Sequence, residues 1–195
     1  AIEHNLLVIA DETYERLTWN ENRHVCIASL PGMKDRTMGL MGVTKSFSMG
    51  GWRVGFAYGP APIISAMTTV QQHANTCVGA FVQTAAATAF DHTHEVQELW
   101  NDWQKRCEYV TSELNKIAGL SCEMPEGGFY AWADCSETGY SSSSLTESLL
   151  RECGVALVPG AAFGSGGEGF LRMTCVKSWE DIREGISRIQ SYLDS

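Results

Sequence analysis

No stretch of this 195-residue chain approaches the ~18–20 consecutive apolar residues that a membrane-spanning helix needs, so no membrane partner is expected. Positive charge is scarce as well: 14 Lys and Arg stand against 23 Asp and Glu, a formal charge of −9. Such a field repels polyanions, which argues against nucleic acid as a partner and requires that any small anion be held by local cations. The seven cysteines, at 26, 77, 107, 122, 135, 153 and 175, are odd in number and contain no C-x-x-C pair. Neither a disulfide framework nor a metal site is expected, and a reducing, cytoplasmic compartment fits this usage. There is no internal repeat, and the one low-complexity piece, Ser141–Ser144, reads as a solvated loop. GSGGEG at 164–169 lacks the Gly-Lys-Ser/Thr ending of a P-loop. A signal-peptide pattern is missing too. The opening AIEHNLLVIADE reads as a last helical turn, a stop at Asn5 and a strand, so the start is expected to be a cut within a larger protein.

What is present is material for a core, with 44% hydrophobic residues. LLVIADE (6–12) is a short apolar run ending in acids, the pattern of a strand buried on both faces of a parallel sheet. TMGLMGVTKS (37–46) and WRVGFAYG (52–59) read as two more strands, and the glycines between them are expected to let the chain turn sharply. Pro60 and Pro62 break this pattern, and helices follow from Ile63 and over FVQTAAATAF (81–90). Between His94 and Ala118, Val96, Leu99, Trp100, Trp103, Cys107, Val110, Leu114 and Ile117 recur at steps of three and four, one long amphipathic helix stopped at Gly119. Beyond it come strands over LSCEM, FYAWADC, VALVP and FLRMTCV. A helix from Ser144, capped with Glu147 as a capping box, and a last one over WEDIREGISRIQSYL complete the pattern. The fold class is α/β. A boundary near 95–115 divides a portion of one α/β domain, 1–100, from a small α/β domain, 101–195.

One stretch, GVTKSFSMGGWRVG (42–55), carries a lone lysine among small hydroxyl residues. An arbitrary turn lysine is ordinarily a solvated surface group. Here Arg53 follows eight residues on, and Asp11 and Tyr14 sit at the end of the preceding strand. Ligands in open α/β sheets bind beyond the carboxyl ends of the strands, where these segments converge. By contrast, His92 and His94 in DHTHE read as a solvated helix entrance, Trp100 and Trp103 as core, and His4, His24 and His73 have no evident partner.

GVTKSFSMGGWRVG resembles the pyridoxal-phosphate lysine signature of the class I/II (fold-type I) aminotransferases, matching at Gly42, Thr44, Lys45, Gly51, Arg53 and Gly55. IADETYERL, SLPGMKDRT, PEGGFYAW and VPGAAFGSGGEGFLRMT are similar to further landmarks of that family, in the same order along essentially the whole chain. The resemblance is to the C-terminal half of aspartate- and aromatic-aminotransferase-like members. It implies the end of a cofactor-binding large domain, with a mostly parallel sheet and helices, plus the small C-terminal α/β domain. It also implies a homodimer whose N-terminal half is needed to complete the site.

The implied activity is transfer of an amino group between an α-amino acid and a 2-oxo acid, with pyridoxal 5′-phosphate held by Lys45 as a Schiff base. Lys45 is then also the proton shuttle, Asp11 the partner of the pyridine nitrogen, and Tyr14 the donor to the ring's phenolic oxygen. Arg53 and Thr44 contact the phosphate, and Arg172 clamps the substrate carboxylate. Gly42 departs from the many relatives with serine there, which excludes a hydroxyl contact from that position. Two other readings stand beside this one: a C–S lyase using the same lysine, and a non-catalytic fragment.

Overall fold

The computed structural model describes all residues 1–195 as two compact units, Ala1–Glu98 and Leu99–Ser195. In the first, β1 (Val8–Asp11), β2 (Thr37–Gly42) and β3 (Gly55–Tyr58) form a sheet in that order. β1 runs parallel to β2, with Asp11 opposite Leu40, and β3 returns antiparallel, with Gly42 opposite Gly55. The parallel expectation therefore holds for one pairing only. Nor is β1 buried on both faces: it is an edge strand in which Ala10 is buried while Ile9 is 68% exposed.

The connection from β2 to β3 turns by other means than the glycine pattern suggests. Its left-handed residues are Ser48 and Arg53, each at φ 54°, and no glycine of this segment has positive φ. Hydrogen bonds from the Phe47 and Met49 amides to the Val43 carbonyl (3.2 and 3.3 Å) close the turn. Gly55 alone is pressed, since a Cβ there would lie 3.1 Å from the Met41 carbonyl oxygen.

Helix α1 (Ala61–Ala74) starts at the Pro60–Pro62 break and buries none of its residues. Helix α2 (Ala80–Asp91) places Ala86 against Val43, Phe47 and Val54, with Val82, Ala89 and Phe90 packed around them. Phe47 and Phe90 meet edge to face, centroids 5.2 Å apart. The β2–β3 connection is thus pinned from beneath by an apolar cluster on both sides of Lys45.

The second unit holds β4 (Ser121–Cys122), β5 (Tyr130–Asp134), β6 (Val158–Pro159) and β7 (Phe170–Thr174), antiparallel throughout in the order β4-β5-β7-β6. Ala131, Ala133, Leu171 and Met173 point into the core, and the alternate residues face outward, the period-2 signature of a half-buried sheet. The long helix is shorter than its apolar period: a 3-10 turn over Thr93–Val96 precedes α3 (Gln97–Leu114). Further 3-10-type bonds and Gly119 at φ 82° end it. Trp100, Trp103, Cys107, Val110 and Leu114 are its buried stripe.

Helix α4 (Ser142–Cys153) begins two residues before Ser144. Its cap is Ser141, whose hydroxyl accepts from the Ser144 amide at 3.2 Å, while Glu147 pairs instead with Arg151 at 2.6 Å. Helix α5 (Trp179–Leu193) is capped by Ser178 and buries Ile182, Ile186 and Ile189. The Ser-rich segment is therefore a helix start rather than a loop.

Candidate active site

Parallel pairing of β1 with β2 brings their carboxyl ends to one end of the first unit's sheet, and the β2–β3 connection lies at that same end. Asp11 is the last residue of β1 and is exposed. Its Oδ1 accepts from the Thr13 amide at 3.2 Å and from the Thr13 hydroxyl, which orients the carboxylate and leaves Oδ2 open. Tyr14 follows in the turn after the strand, and the Lys45 ammonium stands 5.4 Å from its ring centroid. Lys45 itself sits half-buried between the buried anchors Val43 and Phe47, with Thr44 half-buried beside it. Such anchoring restricts where a flexible lysine can reach.

Arg53 is exposed, directs Nη1 to the Gly50 carbonyl at 2.8 Å, and forms no ion pair. Its left-handed backbone (φ 54°, ψ 48°) is strained for a side chain bearing a Cβ, the kind of conformation that persists at functional sites. Gly42 has ordinary clearance: a Cβ there would lie 3.5 Å from the Val54 carbonyl oxygen, so no steric demand imposes glycine.

These residues put a carboxylate, an amine and a guanidinium at one sheet end, groups able respectively to accept from a cationic N–H, to condense with an aldehyde and to hold a phosphate.

Arg172 belongs to the second unit, on the outward face of β7 opposite Trp132 and Val158. Its guanidinium lies 4.5 Å from the Tyr130 ring centroid and 4.7 Å from that of Phe163. Stacked against two aromatic rings, it has no acidic partner in the chain. His92 is exposed and bonded to Glu95 at 2.7 Å.

Sequence reasoning missed one cluster. His24 does have a partner: its Nε2 stands 3.2 Å from Glu12 Oε1, and Glu12 is only 5% exposed. Glu12 also accepts from the Tyr58 hydroxyl, which in turn lies 3.1 Å from the Cys26 sulfur. Burial pushes the Glu12 carboxyl up, but the hydrogen bonds from Tyr58, Cys26 and His24 outweigh it and hold the group below the usual carboxylate range. The available signal was the strand's alternation, which puts Glu12 on the side of buried Ala10 and away from Asp11.

The model of the family described as aminotransferase class I and II matches residues 1–189. The chain is 38% identical to an aspartate aminotransferase of Pyrococcus abyssi, over 99% of this chain and 50% of that protein. It is 35% identical to the aromatic-amino-acid aminotransferase 2 of Thermococcus litoralis, with the same coverage of each. Among solved structures, the aromatic aminotransferase of Pyrococcus horikoshii superposes with a TM-score of 0.94 at 38% identity, over 99% of this chain and 52% of that one. The chain spans about half the length of the curated relatives it matches. With the ordered motifs, the residues at the sheet end and this likeness in hand, the chain belongs to the class I and II aminotransferases.

Proposed function

We propose that this chain is the C-terminal portion of a pyridoxal-phosphate-dependent aminotransferase that moves an amino group between an α-amino acid and a 2-oxo acid. The observation that carries the reading is that strand pairing puts the segments bearing Asp11, Tyr14, Lys45 and Arg53 at one end of a three-stranded sheet, with Lys45 beside the Tyr14 ring. Family membership supports it, as do the aminotransferase names of the relatives. The bound cofactor supplies an electron sink for the bond broken at the substrate Cα.

Lys45 would hold the cofactor through its side-chain amine and, when not so engaged, would take the substrate Cα proton and return it, as general base and then general acid. Asp11 keeps the ring nitrogen protonated through a charge-assisted hydrogen bond. Tyr14 donates to the ring's phenolic oxygen, and Arg53 with Thr44 holds the phosphate. Arg172 is assigned the substrate carboxylate because its guanidinium is stacked and lacks an acidic partner.

In this reading residues 1–100 are the end of the cofactor-binding domain and 101–195 the small domain. A preceding half and a second subunit complete the enzyme.

Borohydride reduction of the pyridoxal-phosphate-loaded protein, followed by peptide mass analysis, is expected to place the cofactor on Lys45, and Lys45→Ala to abolish the adduct. An adduct on another lysine, or none, overturns the reading. Transfer of ¹⁵N from an amino donor to a 2-oxo acid separates a transaminase from a lyase, which releases an oxo acid without any acceptor.

A further inference from the structure

We infer that Tyr58 and Glu12 are positioning residues for Tyr14: a bond across the whole three-stranded sheet fixes the turn that holds this tyrosine beside Lys45. The inference rests on the cofactor reading above. Tyr58 is on β3, and its ring lies over its cross-strand partner Gly39 on the middle strand, β2. Only a glycine allows this, because a Cβ at residue 39 would lie 2.1 Å from two ring carbons. The hydroxyl then reaches Glu12, one residue past the end of β1.

Glu12 is held from several directions. Its amide donates to the Leu40 carbonyl at 2.8 Å, its Oε2 accepts from Tyr58, and its Oε1 meets His24 at 3.2 Å. It also opens the turn that carries Tyr14, its carbonyl accepting from the Glu15 amide at 3.1 Å. Asp11 immediately precedes it. Glu12 therefore ties this turn both to β2 and to β3. Hydrogen bonds to Cys26 and Glu12 hold the Tyr58 phenol above its usual range, so it remains a donor.

The consequence falls on the protonation of the Lys45-bound cofactor. A hydroxyl donated by Tyr14 to the ring's phenolic oxygen stabilises the negative charge left when that system loses its proton, and so lowers its titration midpoint. A loosened turn weakens this donation and raises the midpoint. Loss of the Glu12 charge acting directly has the opposite sign, because a nearby anion favours the protonated form.

The experiment is a pH titration of the visible absorbance of the pyridoxal-phosphate-loaded protein in wild type, Tyr58→Phe, Glu12→Gln and Tyr14→Phe, with the double variant Tyr58→Phe/Tyr14→Phe. Tyr58→Phe changes no charge and is expected to raise the midpoint by about 0.5–1 unit, a three- to tenfold change in the proton equilibrium, about one hydrogen bond's worth. Glu12→Gln is expected to shift it the same way, and the double variant to titrate like Tyr14→Phe alone.

A purely structural role lowers thermal stability and leaves the midpoint where it was, which overturns the inference. A downward shift in Glu12→Gln with none in Tyr58→Phe reduces the cluster to a charge effect and also overturns it. If wild type gives no borohydride-trapped adduct on Lys45, the cofactor reading itself falls and takes this inference with it. An adduct with an unmoved midpoint removes the inference alone.

Discussion

Arg53→Gly separates what the backbone asks at residue 53 from what the site asks. Arg53 holds φ 54° and ψ 48°. A left-handed conformation costs an L side chain about 1–2 kcal/mol and glycine almost nothing. Against that gain, glycine gives up about 0.5–1 kcal/mol of backbone entropy on folding. The exposed bond from Nη1 to the Gly50 carbonyl (2.8 Å) contributes about 0.5 kcal/mol more to the wild type. The balance for the cofactor-free chain lies between about −0.5 and +1 kcal/mol, and each kcal/mol shifts Tm by about 2–4 °C at this size.

Binding moves in the other direction. A guanidinium hydrogen bond to a phosphate carries about 1.5–3 kcal/mol, so pyridoxal phosphate affinity is expected to fall by about ten- to 150-fold. Thermal unfolding followed by circular dichroism, beside a fluorescence titration with the cofactor, measures both quantities. A Tm lowered by more than about 4 °C would show that the left-handed backbone is not a burden, and an affinity within threefold of wild type would remove Arg53 as the phosphate anchor.

Other perturbations test other parts of the molecule. Thr76, β-branched at φ 63°, is the most strained residue by type, and Thr76→Gly is expected to raise Tm by a few degrees, about 1 kcal/mol, in the same unfolding assay. At Gly160 a Cβ would lie 2.0 Å from the Gly167 carbonyl oxygen, backbone that cannot step aside, so Gly160→Ala should cost about 3 kcal/mol in denaturant unfolding. Glu12's carboxyl is lowered in the fold, so it stabilises the protein above its unfolded pKa of about 4.3 and loses that contribution as pH falls through the folded value. Urea unfolding between pH 6 and pH 3 should therefore show a loss of stability that Glu12→Gln flattens.

Much of this arrangement is legible in the sequence where a residue's neighbours along the chain decide its place. The three apolar runs, the break at Pro60–Pro62 and the stripe of α3 announce their elements because local pattern and burial agree. Asp11, Lys45 and Arg53 are legible as a set because Asp11 ends β1, Lys45 follows β2 and Arg53 precedes β3. What escapes depends on register. The Tyr58–Glu12 bond exists only because Gly39 is opposed to Tyr58, and nothing local to residues 12, 39 or 58 states that pairing. The cap of α4 escapes for the opposite reason, since four successive serines give equal local claims and the fold selects Ser141. Arg172 reads as an alternating strand residue, but its stacking on Phe163 comes from how the 3-10 turn before β7 folds back, which strand alternation does not state.

The opposition of Gly42 to Gly55 gives the β2–β3 connection an uneven tolerance of inserted residues. Lys45 stands three residues beyond the last paired position and Arg53 two residues before its partner, so each is measured from the sheet by its own short tether. An extra residue within either tether carries a charged group away from the sheet end, a geometric loss that no side-chain rotamer repairs. Phe47, 8% exposed, extends the intolerant stretch on the lysine side. Met49 is anchored too, by its amide bond to Val43 and its packing on the cluster, whereas Gly51 and Trp52 are exposed and outside it, and lengthening there costs mainly loop-closure entropy, about 0.6 kcal/mol for each doubling of the loop. Length variation in this connection should accumulate at its tip, so the lysine-to-arginine spacing along the chain is free to vary while their separate distances from the strands are not.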